Sequence, residues 1–343
     1  MHRAIELARR ADNRTRDNPR VGCVIVHRGR IIGEGYHRIY GQAHAEVNAI
    51  EAIPQKERDL LPHSTLYVTL EPCHHQGKTP PCVDLIIERH IPQVVIGTTD
   101  PNPLTAGKSI DKLRRAGVHV RVGMLEEACQ VLIRRFRSAM LHKRPYVLLK
   151  WAQSNDGYIG KSEEQVWLTG KQARLITHRM RTREGAILIG TRTAAIDDPR
   201  LTARYWQGPS PHRLTIDRRG VLPSTLRIFD KAAPTTVFVG EQVDRSRYPA
   251  HVHTRVLVPG QSLLEQVADY LHRQRIKSLI VEGGRQLLQA YIDAGAWDEA
   301  RIFTATRRAL GSGVAAPILR HGIEVARHTV GHDRVSHLRR VGA

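Results

Sequence analysis

Cysteine is scarce in this chain. Its 343 residues hold four, at positions 23, 73, 82 and 129, too few for a disulfide framework in a chain of this length. Long apolar runs are missing as well: none reaches the roughly 18 residues that a membrane-spanning helix needs. Residues 1–6 carry none of the apolar stretch of a secretory signal. A soluble, cytoplasmic protein without a membrane partner is the expectation. Acidic residues are outnumbered, 33 Asp and Glu against 53 Lys and Arg, for a net charge of +20. That excess attracts polyanions, yet no basic block sits at either end. Residues 1–144 hold 23 basic against 15 acidic side chains, and residues 145–343 hold 30 against 18. An excess spread this evenly favours a generally basic proteome or phosphorylated small substrates over nucleic acid. There is no internal repeat and no Gly-x-Gly-x-x-Gly, which disfavours a Rossmann dinucleotide site.

What is present reads as alternating strands and helices, the pattern of layered α/β domains. Helices are predicted over 2–12, 45–52, 81–89, 108–115 and 126–142, and strands over 21–26, 31–36, 64–69, 94–97 and 118–120. Pro145 cannot continue the long helix before it. That places a domain boundary between residues 144 and 145, with one domain over 1–144 and a second over 145–343. The second α/β pattern has strands over 146–150, 186–189, 213–216 and 278–281, and helices over 171–182, 263–273 and 285–294.

Chemistry concentrates at His44-Ala45-Glu46, at Glu71-Pro72-Cys73, and at Cys82. Zinc takes imidazole and thiolate ligands in a tetrahedron, and three protein ligands leave one position open, the mark of a catalytic site. Bound Zn²⁺ lowers the pKa of its water from about 15.7 to about 7. Glu46, two residues past His44 at a helix start, is placed to shuttle protons without ligating the metal. Cys73 is expected near the start of a second helical segment, where partial positive charge favours thiolate. The combination matches the zinc deaminase signature of His-x-Glu with a later Pro-Cys and a second Cys. A structural zinc site completed by His74 or His75 is the competing reading. The loop between the cysteines, residues 74–81, is longer than the usual two residues. Its Lys78 and His75 are candidates for a phosphate or a ring carbonyl, with a solvated surface lysine as the plainer reading of Lys78.

The run 69–82, Thr-Leu-Glu-Pro-Cys-His-His-Gln-Gly-Lys-Thr-Pro-Pro-Cys, and Asp100-Pro101-Asn102-Pro103 resemble the bifunctional riboflavin biosynthesis deaminase/reductase family. The resemblance spans nearly the whole chain. It implies a cytidine-deaminase-like α/β/α domain followed by a dihydrofolate-reductase-like α/β domain. The implied chemistry is zinc-dependent hydrolytic deamination of 2,5-diamino-6-(5-phosphoribosylamino)pyrimidin-4-one, then NADPH-dependent reduction of the ribosyl chain to ribityl. His44, Cys73 and Cys82 would bind zinc and Glu46 would be the proton shuttle. Asn18 and Asn102 would help hold the ring, each able to pair with donor and acceptor edges. Asn48 and His74 depart from the His and Ser expected at those places; neither is a ligand.

The second half is harder to read from its residues. Val281-Glu282-Gly283-Gly284 between a strand and a helix lets backbone N–H groups approach a phosphate, but a tight turn explains it equally well. The family resemblance there implies cofactor contacts from Gln153, Trp167, Thr193, Asp197, Gly284, Arg285, Gln286 and Leu287. It implies substrate contacts from Gln165, Arg181, Leu201, Arg204 and Glu282. Taken singly, the arginines read as surface salt bridges and Trp167 as core. Gln153 and Gln165 stand where small residues are usual. Arg218 replaces a small polar residue, and Arg218 or Arg219 is a candidate partner for the cofactor's 2′-phosphate. A homo-oligomer acting on phosphorylated pyrimidines, without nucleic acid, completes the expectation. The competing readings are a deaminase of tRNA or nucleosides, a deaminase with a degenerate second domain, and a non-catalytic zinc or RNA-binding protein.

Overall fold

A computed structural model describes residues 1–16, 18–76 and 80–342. The chain forms two compact units, residues 1–144 and 145–343.

The first unit is built on a five-stranded sheet. Its elements in chain order are α1 (His2–Ala8), β1 (Gly22–His27), β2 (Arg30–Tyr36), α2 (Ala45–Glu51), β3 (Thr65–Leu70), α3 (Cys82–Glu88), β4 (Gln93–Thr98), α4 (Lys108–Arg115), β5 (His119–Val122) and α5 (Glu126–His142). The spatial order is β2-β1-β3-β4-β5. The β1 contacts with β2 and β3 are antiparallel; β3, β4 and β5 run parallel. Helices cross between parallel strands because a parallel pair cannot be joined by a tight turn. Ile25, Leu66, Val68, Ile86, Ile96 and Ile133 are buried in one core. Close packing of α2 on β2 matters for the site. A Cβ on Gly35 would lie 2.4 Å from the Ala49 nitrogen, so only glycine lets that helix sit on the strand backbone.

The second unit has a nine-stranded sheet. Its elements are β6 (Tyr146–Ser154), β7 (Tyr158–Gly160), α6 (Lys171–Arg181), β8 (Ala186–Ile189), α7 (Thr191–Asp197), β9 (His212–Asp217), β10 (Thr235–Val239), β11 (His253–Val256), α8 (Leu263–Arg273), β12 (Ser278–Val281), α9 (Arg285–Asp293), β13 (Glu299–Ala305), β14 (Val314–Ala315), β15 (Gly322–Val330) and β16 (Asp333–Arg340). The order is β11-β10-β9-β8-β12-β6-β13-β16-β15, with β7 and β14 paired separately. Strands β11 through β13 are parallel neighbours, and β16 and β15 add an antiparallel edge. The central strands are apolar throughout, as β12 shows with all four residues buried, because both faces of a parallel sheet are covered.

Several elements differ from the pattern read in the sequence. The first helix ends at Ala8, and Asp12 then caps a short 3₁₀ turn by accepting the Arg14 N–H. Cys73 lies outside any helix. It is Cys82 that opens α3, and its N–H donates to Cys73 Sγ at 3.2 Å. The helix start that favours the Cys73 thiolate thus arrives from nine residues downstream.

Candidate active site

Three side chains converge at one end of the first unit. His44 is the N-cap residue of α2, Cys73 follows β3, and Cys82 is the first residue of α3. His44 Nδ1 is 3.4 Å from Cys73 Sγ and 3.4 Å from Cys82 Sγ. All three ligand atoms lie within 4.8 Å of one another. Zn–N and Zn–S bonds at a tetrahedral angle put the two ligand atoms about 3.6 Å apart. The spacing and the donor chemistry therefore fit zinc. Cys73 is pulled down to about 4, chiefly by hydrogen bonding from the Cys82 thiol and also by His44. Thiolate is the form that binds metal. The same contact and burial push the Cys82 thiol up. Two cysteines beside one imidazole thus share a proton that a dication would displace.

Glu46 lies in the first turn of α2 and is 3 % exposed. Burial, with the nearby Cys73 thiolate adding to it, raises its carboxyl to about 7. That value suits a group that takes and returns a proton near neutrality. A buried acid is costly as structure, and groups with such raised values gather at functional sites.

His37 was not singled out in the sequence. It is 2 % exposed, and its ring meets that of His44 edge to face at 5.3 Å. His37 Nδ1–H donates to the Ala43 carbonyl at 3.1 Å, leaving Nε2 to accept from the Asn18 amide at 3.0 Å. Burial lowers its pKa, which keeps it neutral. Asn18 is thereby tied to the His44 imidazole through one ring. The only earlier signal was a histidine directly after an apolar strand. Asn48 donates to the Tyr36 and Ala43 carbonyls at 2.9 and 3.2 Å. It therefore braces the segment that delivers His44. Asn102 lies in the loop after β4, where its Oδ1 accepts the Leu104 N–H at 3.1 Å. His75 is exposed and packs edge to face on His74. Lys78 lies outside the described residues.

In the second unit Glu282 follows β12. Arg181, the last residue of α6, donates to it twice, and its third nitrogen donates to the Thr202 carbonyl at 3.1 Å. Lys150 of β6 stands 3.9 Å from the same carboxylate. Burial pushes Glu282 up, but the two cations outweigh it and hold it at about 2. Desolvation lowers Lys150. Its place beside Glu282 depends on the neighbouring of β6 and β12, which spacing does not show. His178, one turn before Arg181, is driven to about 4 by burial and then by Arg181 and Arg204. Arg204 lies 4.9 Å from the Tyr205 ring.

The two strand–helix turns at Gly190 and Gly283-Gly284 abut. A Cβ on Gly283 would come within 3.1 Å of the Gly190 nitrogen, and one on Gly284 within 3.1 Å of Thr193 Oγ1. Gly284 is the N-cap of α9, and Arg285 and Gln286 are exposed in its first turn. That leaves a cradle of backbone N–H groups and one hydroxyl, which fits a dinucleotide phosphate. Leu287 is 8 % exposed in the core, so only its backbone could take part. Gln165 donates to the Asp197 carbonyl at 3.1 Å, and burial raises the Asp197 carboxyl. Gln153 accepts from the Trp151 indole at 2.8 Å. Trp167 is 54 % exposed beneath Arg174, so it is not core. Leu201 is buried with φ +53°.

The comparisons with known proteins agree with this division of labour. Residues 1–98 match the cytidine and deoxycytidylate deaminase zinc-binding region, and residues 145–330 match the RibD C-terminal domain. The chain is 36 % identical to riboflavin biosynthesis protein RibD of Aquifex aeolicus over 318 residues, covering 92 % of this chain and 88 % of that protein. It is 36 % identical to the Escherichia coli protein of the same name over 323 residues, 90 % and 87 %. A Thermotoga maritima crystal structure, a diaminohydroxyphosphoribosylaminopyrimidine deaminase/5-amino-6-(5-phosphoribosylamino)uracil reductase, superposes with a TM-score of 0.90 at 37 % identity, covering 99 % of this chain and 97 % of that one. The two folds expected from the sequence, the zinc deaminase and the reductase of dihydrofolate-reductase type, are the ones found, as are the cofactor classes, zinc and NADPH. The chain belongs to the RibD family of bifunctional riboflavin-biosynthesis deaminase/reductases.

Proposed function

We propose that residues 1–144 remove ammonia from 2,5-diamino-6-(5-phosphoribosylamino)pyrimidin-4-one and that residues 145–343 reduce the ribosyl chain of the product. The observation that carries this reading is the convergence of His44, Cys73 and Cys82 one helical turn from buried Glu46. His44, Cys73 and Cys82 would hold zinc, which when bound would supply the Lewis acidity that makes water a competent nucleophile near neutral pH. Glu46 takes the two protons of the attacking water in turn, passing one to the ring nitrogen and one to the departing amine. One water thus enters as the carbonyl oxygen, and ammonia leaves. Asn18, oriented by His37, and Asn102 hold the ring edges. His75 and Lys78 serve the phosphate or ring carbonyl from the loop between the cysteines.

In the second unit NADPH, when bound, would supply a hydride, and the residues around it would set its alignment with the sugar carbon. Gly284, Arg285, Gln286 and Leu287 offer backbone N–H groups to the cofactor, with Thr193, Asp197, Gln153 and Trp167 beside them. Arg181, Arg204, Gln165, Leu201 and Glu282 form the substrate side. Arginine suits the 5-phosphate through paired hydrogen bonds. We take the enzyme to be a cytoplasmic homo-oligomer; no described helix is long and apolar enough to cross a membrane. A coupled assay tests the reading. Ammonia should appear with the diaminopyrimidinone alone, and NADPH should be consumed only after deamination. NADPH oxidation without prior ammonia release would overturn the order, and no ammonia from zinc-loaded protein would overturn the deaminase.

A further inference from the structure

Glu71 precedes the ligand Cys73 by two residues and has no part in the chemistry above. It is 6 % exposed. A buried carboxylate needs compensating donors, and all those found come from residues 100–109, the loop after β4 and the start of α4. Glu71 Oε2 accepts the backbone N–H groups of Asp100 at 3.1 Å and Gly107 at 3.0 Å. Oε1 accepts the Ser109 hydroxyl at 2.8 Å and the Ser109 N–H at 3.3 Å. The Glu71 N–H in turn donates to the Thr98 carbonyl at 2.9 Å. One side chain therefore closes both ends of the segment 100–109.

Inside that segment the device is repeated on a smaller scale. Asp100 accepts the Asn102 N–H at 2.9 Å and the Thr105 hydroxyl at 2.8 Å, and Asn102 accepts the Leu104 N–H. The backbone of Asn102 is thus fixed by a chain of bonds that starts at Glu71. On its other side Glu71 is joined through Pro72, whose φ is locked by its ring, to the backbone that delivers Cys73 Sγ. The metal-ligating segment and the Asn102 loop share this single anchor.

We propose that Glu71 is a positioning residue for the deamination, its carboxylate setting the spacing between the metal-ligating segment and the loop that carries Asn102. The inference rests on the deaminase reading, because only there does Asn102 have a ring to hold. Glu71→Gln keeps the size but turns one acceptor into a donor that faces N–H groups. Ser109→Ala removes one bond and leaves the rest.

The test compares full-length, zinc-loaded wild type with both variants. It measures zinc per chain, ammonia-release kinetics, the thermal transition, and NADPH oxidation on the deaminated pyrimidine. Glu71→Gln should keep its zinc and its NADPH oxidation. Its KM for the diaminopyrimidinone should rise about tenfold with kcat within about twofold, since a misplaced contact loop weakens ring binding. Ser109→Ala should raise the same KM by about two- to threefold. A folded Glu71→Gln protein with wild-type KM, or one that loses zinc and kcat at unchanged KM, overturns the inference. If Glu71→Gln has no thermal transition, Ser109→Ala decides, and an unchanged KM there overturns it. Wild type that releases no ammonia would instead sink the deaminase reading and this inference with it.

Discussion

The Arg181 guanidinium meets the Glu282 carboxylate fork to fork, Nε to Oε1 at 3.0 Å and Nη2 to Oε2 at 2.7 Å. Both side chains are nearly inaccessible, 11 % and 7 % exposed. A pair this dry is held by geometry, and removing one partner leaves an uncompensated buried charge. Glu282→Gln should therefore destabilise the second unit by about 3 kcal/mol, read as a lower denaturant midpoint, and should depress NADPH oxidation. Ammonia release should be unaffected.

The same pair gives a pH dependence of definite sign. The Glu282 carboxyl is held at about 2 in the fold against an ordinary 4.5. A group depressed on folding stabilises above its unfolded pKa, and that contribution is lost as pH falls toward the folded one. The stability gap between wild type and Glu282→Gln should be full above pH 4.5 and should close as pH falls toward 2. Thermal melts across that range check it. A gap that widens with acid contradicts the assignment.

Glu46 is buried beside the candidate ligands His44, Cys73 and Cys82 but does not belong to that cluster. Glu46→Gln should bind zinc at the wild-type level while ammonia release falls by about 10²- to 10⁴-fold, the usual span for a lost general acid–base. Cys82→Ser should do the reverse in metal analysis and lose zinc, because it removes a thiolate and leaves only His44 and Cys73. In both variants NADPH oxidation on the deaminated pyrimidine should persist. Zinc retained in Cys82→Ser would move the metal elsewhere.

The candidate metal cluster was legible because its residues are written locally. His-x-Glu places an imidazole and a carboxylate on one helical turn, and Pro-Cys with the later Cys brings the two thiols. What escaped the sequence depended on contacts between distant strands. His37 gains its place only because β2 ends against the start of α2, and Lys150 meets Glu282 only because β6 lies beside β12. Strand β15 was not read for a different reason. In β15 most residues are exposed, so Gly322–Val330 carries neither the apolar run nor the clean alternation that marks a strand. The Cys73 expectation misplaced the helix start because the long loop to Cys82 separates in sequence what the fold brings together.

Arg218 and Arg219 follow β9 and are both exposed. The turn that carries them is rigid. Asp217 is fully buried and accepts the Val221 and Leu222 N–H groups at 2.8 and 2.9 Å and the Tyr248 hydroxyl at 2.7 Å. An arginine on a fixed turn at the C-terminal end of a parallel strand is well placed for the extra phosphate that distinguishes NADPH from NADH, since a guanidinium pairs with phosphate through two parallel bonds. Arg218→Ala should raise the KM for NADPH about tenfold and leave that for NADH unchanged, with kcat preserved. Arg218→Lys should recover part of the loss, because a lysine keeps the charge but not the fork. Equal KM values for NADPH in wild type and Arg218→Ala would shift the assignment to Arg219, and the double variant with no change would remove it.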